Sequence, residues 1–309
     1  MEPEEHRLKK TNRQPNSITM SKQQFEVIEK RIMYLVINQV KTGRNIQEDV
    51  FKENLTVLVP IKHLGDTNYE RIRSAAKSLS KRQIALKDDK RNKTFDYITP
   101  FPRIKTTNNS YLEVTILADT IPYFAELNKG YTNYLLASAL SLHSKHSQRI
   151  YEIISRFKDT KFFGPIPISE FREMLSIEDS YKEISMLKAR VLEPARNEIA
   201  EKTELGFNYV LTKTGRKYTH IKFTIYGQAP KDQQLLKFAE DFRDDDKSER
   251  CKVLLKALGI IRDDLVNEIV NYQQKEFWEW HYKYSTGALK VSKNPAGLLL
   301  TTLGLTEKK

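Results

Sequence analysis

The sequence predicts an α+β fold: two tandem units, each a set of helices closed by a β-hairpin, followed by a small C-terminal helical region. Three observations predict it. Apolar residues recur first at helical spacing and then at a spacing of two, and the order helix, short helix, helix, hairpin occurs twice along the chain. The alternating pattern stops at Gln228, and only helical patterns follow. The charge divides at the same place. Residues 230–309 carry 14 Lys and Arg against 13 Asp and Glu, a net of +1, so +11 of the chain's +12 lies on the first 229 residues.

Residues 1–16 have no apolar run and read as a flexible tail, not a secretory signal. In the first unit, 17–128, FEVIEKRIMYLVINQV sets Phe25, Ile28, Ile32, Leu35 and Val36 on one helical face. VPIKHLGD is a short element ending at Gly65. TNYERIRSAAKSLSKRQ is a third helix, with Thr67 at its N-cap and Ile72, Ala75, Ala76 and Leu79 facing inward. Period-two runs follow: IALKDD, TFDYITPFPRI and YLEVTIL, the first two joined by the polar turn Lys90-Arg91-Asn92-Lys93. This is the order of a winged helix, whose third helix enters a DNA groove and whose hairpin is the wing.

The second unit, 129–228, repeats the order. NYLLASALSLHSKHSQRIYEIISRF reads as one long helix, ISEFREMLSI as a short one, and Tyr181 to Lys202 as a long one bent at Pro194. GFNYVLTK and KYTHIKFTIYG are strands around Thr214-Gly215-Arg216. In 229–309, PKDQQLLKFAEDFRDDDKSER reads as a helix ending in a solvated charge run. CKVLLKALGI and RDDLVNEIVNYQQKEFWEWHYKYS are further helices, and a last one opens at Asn294-Pro295. Phe277, Trp278, Trp280, Tyr282 and Tyr284 crowd this region, either as core or as a protein-docking surface.

Composition narrows the function. A pI of about 9.4 points to a polyanionic partner. The single cysteine, Cys251, excludes an internal disulfide, fits a reducing cytoplasm, and sits in an apolar run that predicts an inert thiol. No apolar stretch is long enough to span a membrane, and no GxxxxGK[ST] is present, so no nucleotide or other cofactor is expected.

LHSKHSQRIYEIISRF raises the one enzymatic alternative: a metal-dependent nuclease that nicks DNA with a tyrosine. His143 and His146 share a face if the segment is one helix, but a catalytic metal needs about three protein ligands and no carboxylate accompanies them at Glu-x-x-His spacing. Tyr151 alternates with Ile150, Ile153 and Ile154 and reads as core. The expectation is no metal site and no catalytic residue.

The same stretch carries a resemblance. The features are SxxSxRIYEII with Arg149-Ile150-Tyr151-Glu152; Phe171-Arg172 with Leu175; Leu187-Lys188 and Arg190-Val191-Leu192 with Pro194-Ala195; Glu198-Ile199; and Gly215-Arg216-Lys217. Together they resemble the plasmid replication initiators that bind repeated origin sequences, iterons. EKRIMYLVINQV in the first unit matches more loosely. The family commonly has tyrosine at the position of His146, which favours a packing role for that residue. The resemblance implies a non-enzymatic protein that binds duplex iterons as a monomer, helps to open adjacent A·T-rich DNA, recruits a host initiator or helicase, and as a homodimer often represses its own promoter. A repressor with no role in replication is the remaining alternative.

Candidate DNA contacts follow from polar outer faces opposite apolar stripes. On the third helix of the first unit they are Asn68, Arg71, Arg73, Ser74 and Lys77, with Lys90, Arg91 and Lys93 on its wing. On the helix from Tyr181 they are Lys182, Ser185, Lys188, Arg190 and Arg196, opposite Ile184, Leu187, Val191, Ala195 and Ile199. Lys213, Arg216 and Lys217 lie on the second wing. Cations on a helix read guanine edges, whereas cations at hairpin tips suit phosphates.

Overall fold

The computed structural model describes residues 8–40, 52–89, 93–108, 110–228, 245–285, 289 and 294–305. The chain forms two compact units, Met1–Arg243 and Asp244–Lys309. In the first, both winged helices share one apolar core. Its elements begin with β1 (Thr11–Pro15), α1 (Asn16–Met20), α2 (Val27–Gln39), β2 (Leu55–Pro60), a 3-10 turn (Ile61–His63) and α3 (Tyr69–Leu79). Four strands follow, β3 (Ile84–Asp89), β4 (Thr94–Ile98), β5 (Arg103–Asn108) and β6 (Tyr111–Ile116), then α4 (Pro122–Ala125).

The expected tail is a strand from Thr11 onward. β1 pairs antiparallel with β7 (Tyr131–Leu135), Asn12 opposite Tyr134. TNRQP shows no apolar alternation because its inward residues are polar. Asn12 and Gln14 are fully buried. Asn12 Nδ2 donates to the Tyr34 carbonyl at 3.0 Å, and Gln14 Oε1 accepts from Tyr134 Oη at 2.9 Å. Buried polar groups partnered in this way cost little.

α2 also departs from expectation. It starts at Val27 behind a capping box of Glu26 and Glu29, and every residue from Glu29 to Asn38 is buried, not only one face. The reason is position: α2 packs against β1, β2, α3, α5 (Leu136–Ser141) and α6 (Lys145–Arg156), so it lies between the two winged helices.

The expected single strand TFDYITPFPRI is two strands, β4 and β5. Pro100 and Pro102 flank the fully buried Phe101, and a proline supplies no ladder N–H. Two hairpins result: β3–β4, and β5–β6 joined on its far side by β2 in the order β2-β6-β5.

In the second winged helix the expected long helix is broken into β7, α5 (Leu136–Ser141) and α6 (Lys145–Arg156). Ser144 stops the continuity. Its hydroxyl caps the N–H groups of His146 and Ser147, which starts a new helix there. A strand unseen in the sequence, β8 (Phe162–Pro167), precedes α7 (Ile168–Met174). After α8 (Ile184–Leu187), a π turn (Lys188–Leu192) and α9 (Glu193–Lys202), β9 (Leu205–Thr214) and β10 (Lys217–Gly227) complete a sheet ordered β8-β10-β9. Thr214 pairs with Lys217, so the wing turns on Gly215-Arg216 alone, with Gly215 at φ +63° as a tight hairpin requires.

The second unit contains α10 (Asp245–Ala257), α11 (Asp263–Tyr272), α12 (Gln274–Ser285) and α13 (Pro295–Thr302). The end of the supposed charge run is the first turn of α10, and the helix expected within 229–244 lies outside the described residues. Asn294 caps α13 by accepting the Gly297 N–H at 2.9 Å, as its sequence signature predicts. Cys251, Leu255, Ile269, Phe277, Trp280 and Leu299 form the core of this unit. Of the clustered aromatics, Trp278 and Tyr284 pack on that core and Tyr282 is exposed. Burial pushes the Cys251 thiol up to about 12, consistent with an inert group.

Candidate nucleic-acid interface

α3 presents the first cationic face. Ile72 and Leu79 anchor its inner side, while Arg71, Arg73, Ser74 and Lys77 are exposed. The N-cap is Asn68, not Thr67. Its Oδ1 accepts the Arg71 N–H at 3.1 Å, so this predicted contact residue is engaged in starting the helix. Arg71 lies 3.4 Å from Asp66, and Arg73 lies 3.2 Å from Glu70. Backbone N–H donation from Asn68, with help from Arg71, holds the Asp66 carboxyl below its ordinary range. Lys77 has no side-chain partner among the described residues. A groove of about 780 Å³ runs between α3 and the β5–β6 hairpin, lined by Ile72, Ala76, Ile104 and Leu112 and by Lys62, Arg73, Lys77 and Lys105.

On the β3–β4 wing, Lys93 is exposed at the tip, whereas Lys90 and Arg91 lie outside the described residues. β4 adds two aromatics to the cations expected on this wing. Phe95 is 74% exposed and Tyr97 46%, with ring centroids 5.8 Å apart. Exposed neighbouring rings on a hairpin suit contact with sugars or base faces more than core packing. Their alternation with Thr94 and Asp96 marks a strand, but both faces of β4 are exposed from Thr94 to Tyr97, which alternation alone does not signal.

The second face is the helical stretch α8–π turn–α9. Pro194 has no N–H for the Arg190 carbonyl. In the turn before it, the Glu193 N–H reaches the Lys188 carbonyl five residues back. The extra residue re-phases the helix. Val191 and Leu192 are both buried, while Lys188, Ala189 and Arg190 are consecutively exposed. Lys182, Ser185 and Met186 extend this exposed face. Lys182, Lys188 and Arg190 have no ion-pair partner among the described residues. Arg196 is different: it is half-buried and 2.6 Å from Glu193, which also accepts from Tyr209 Oη. Burial and that carboxylate push the Tyr209 phenol upward.

Arg172, on α7, sets the entry to this face. Its guanidinium donates to the carbonyls of Ser180, Tyr181 and Lys182 at 2.7, 2.6 and 3.0 Å. The sequence motif contained Arg172 but did not reveal this positioning role. Arg172, Lys182, Arg216, Lys217 and His220 line a groove of about 830 Å³ between α7, α8 and the wing. Lys213 sits over the Tyr218 ring at 4.7 Å, and Arg216 and Lys217 are exposed at the tip.

The two histidines do not converge. His143 lies in the loop before α6, with Nδ1 2.6 Å from Lys202 Nζ and 3.7 Å from Glu198. His146 lies within α6 and packs edge-on against Tyr181. Desolvation, with neighbouring lysines, lowers both imidazoles. Among the described residues no group of three His, Cys, Asp or Glu side chains is placed to hold a metal ion, and no helix is long and apolar enough to cross a membrane.

Fold and site together define a protein with two winged helices, each presenting a cationic helix beside a hairpin. The model of the initiator replication protein WH1 domain matches residues 11–155, and that of the initiator Rep protein WH2 domain matches residues 167–225. The chain belongs to this initiator Rep family. It is 28% identical over 258 residues to the PI protein of Escherichia coli, covering 70% of this chain and 82% of that one. It is 30% identical over 118 residues to a replication initiation protein of Escherichia coli, covering 37% and 36%. A crystal structure of Pi initiator protein in complex with iteron DNA superposes with a TM-score of 0.58 at 21% identity, covering 71% of this chain and 98% of that one.

Proposed function

We propose that this chain initiates plasmid replication by binding repeated duplex origin sequences through both winged helices, opening adjacent DNA, and recruiting host replication proteins. The observation that carries this reading is the pairing of two exposed cationic helices, α3 and α8–α9, within one unit that matches both halves of an initiator family. The superposition on an initiator solved with iteron DNA supports the choice of duplex repeats. Strand opening would draw on binding and DNA bending, with no ATP hydrolysis.

The protein acts without catalysis in this reading. Tyr151, the candidate nicking residue, is fully buried and its phenol is pushed well above its ordinary range by burial and Glu204. The Asp244–Lys309 unit, with its near-neutral charge, serves a protein partner such as a host initiator or helicase. The setting is the cytoplasm, in association with the plasmid. Footprinting on DNA flanking its own gene tests the reading. Protection of tandem repeats, each approaching two helical turns without palindromy, is expected. Absence of protection overturns it.

A further inference from the structure

Three consecutive charged residues of α2, Glu29-Lys30-Arg31, interrupt its apolar run and are almost completely buried: 1%, 3% and 3% exposed. Each reaches a different part of the molecule. Glu29 accepts from Arg82, at the foot of the β3–β4 wing, at 3.1 Å. Lys30 Nζ lies 2.8 Å from Glu152 Oε1 on α6 of the second winged helix. Arg31 donates to the Leu64 carbonyl at 2.8 Å and to the Leu142 carbonyl at 3.0 Å. Leu64 precedes α3, and Leu142 precedes α6. The Arg31 guanidinium fills the space that a Cβ on Gly65 would need, and Gly65 is at φ +67°, so the crossing chain is shaped around it.

The second winged helix answers with Arg149 and Glu152. Arg149 Nη1 lies 2.7 Å from Glu152 Oε2, Nη2 donates to the Ser21 carbonyl at 2.6 Å, and Nε donates to the Met174 carbonyl at 3.1 Å. Glu152 is wholly buried and thus holds one cation from each winged helix. A buried ionic cluster adds little stability over an apolar one of equal volume, but displacement leaves charges without partners in a dry interior. An apolar seam can slide, whereas this one cannot without breaking several bonds together.

We propose that Lys30 and Arg31, with Arg149 and Glu152, are positioning residues that fix α3 and α8–α9 at one spacing and rotation, and so confine the protein to repeats whose two half-sites have one separation. This rests on the proposed duplex binding. Each recognition helix enters the major groove of its half-site only when both helices are in phase with the duplex, and two linked contacts lose their joint advantage when geometry forbids simultaneous engagement.

The test compares full-length wild type with Lys30→Met and Arg31→Met on the protected repeat and on the same repeat with two base pairs inserted between half-sites. Lys30→Met leaves the Arg149–Glu152 pair neutral and keeps the aliphatic shape, so it is the variant expected to fold. Thermal melts verify folding. Wild type should lose on the order of 100-fold in affinity upon insertion, and the variants less than about tenfold. A general loss of packing would lower affinity for both duplexes alike, whereas loss of positioning narrows the gap between them. Equal discrimination by wild type and folded Lys30→Met overturns the proposal. Spin labels on Arg103→Cys and Thr212→Cys, one on each winged helix, give a second readout without DNA. Lys30→Met should broaden their distance distribution, and an unchanged narrow distribution overturns the proposal. If wild type binds no origin DNA, the functional reading fails and the label distances alone decide the seam.

Discussion

Tyr151 Oη donates to Glu204 Oε1 at 2.7 Å, and Ser138 Oγ holds the other carboxylate oxygen at 2.6 Å. The phenol ties α6 to the loop that opens β9. In Tyr151→Phe, Ser138 still satisfies Glu204, so the melt should show a loss of about 1–2 kcal/mol with DNA affinity unchanged. Wild type should leave supercoiled plasmid intact with Mg²⁺ or Mn²⁺. Nicking that disappears in Tyr151→Phe would make this residue a nucleophile and reverse the non-enzymatic reading.

Arg190 and Arg196 separate base reading from surface pairing. Arg190 is exposed within the π turn, whereas Arg196 is engaged by Glu193. Arg190→Ala should relax discrimination at one base position by about 1–3 kcal/mol. Arg196→Ala should change affinity by less than about 1 kcal/mol. Binding to a panel of single-base repeat variants checks both, and the opposite ranking would place the reading face elsewhere on the helix.

The +11 carried by the first 229 residues predicts steep salt dependence. Neutralising about 6–10 phosphates should cost ~10³–10⁵ in affinity between 50 and 200 mM salt. A flat titration would refute the charge argument.

Lys30 predicts an alkaline rise in stability. Burial, opposed by Glu152, lowers its ammonium from 10.5 to about 8 in the folded chain. Between those values the unfolded chain binds the extra proton, so unfolding free energy rises with pH through that window. Lys30→Met should flatten the rise by about 1–3 kcal/mol in denaturant titrations at pH 7.5 and 9.5. The window closes near pH 10, where buried Tyr34, Tyr134 and Tyr151, all pushed upward by burial, begin to favour the unfolded chain. An identical pH slope in the variant would mean that Lys30 does not release its proton.

Each apolar core closes within its own unit. Removing Asp244–Lys309 should therefore leave a cooperative melt and repeat binding in the remaining chain, and should abolish plasmid maintenance through loss of a protein partner. Maintenance by a folded truncated chain would remove the partner role.

The recurrence of helices and hairpins was legible because its core faces are apolar and periodic, as in Ile184, Leu187, Val191, Ala195 and Ile199. What stayed hidden shares a physical cause: the contacts are polar and long-range. β1 buries Asn12 and Gln14, α2 buries Glu29 to Arg31, and the Ser144 cap splits an apparently continuous helix. Hydrophobic periodicity cannot register such positions, because they resemble solvated surface until their partners are known. At the interface, exposed cations were found by charge and spacing. The capping role of Asn68, the ion pair of Arg196 and the carbonyl cluster around Arg172 depend on turns that only the folded chain specifies.

The pairing of β1 with β7 also governs how the chain is made. Thr11 meets Leu135, so the first strand has no partner until more than a hundred further residues have been synthesised. At ~5–20 residues per second this leaves an open strand edge and the apolar flank of α2 unsheltered for about 6–25 s on each ribosome. A fragment ending at the expected boundary near residue 128 would never receive that strand. Expressed alone, the leading half should bind chaperones or precipitate, and its yield should recover when the fragment is extended through β7 and α6, past Arg156.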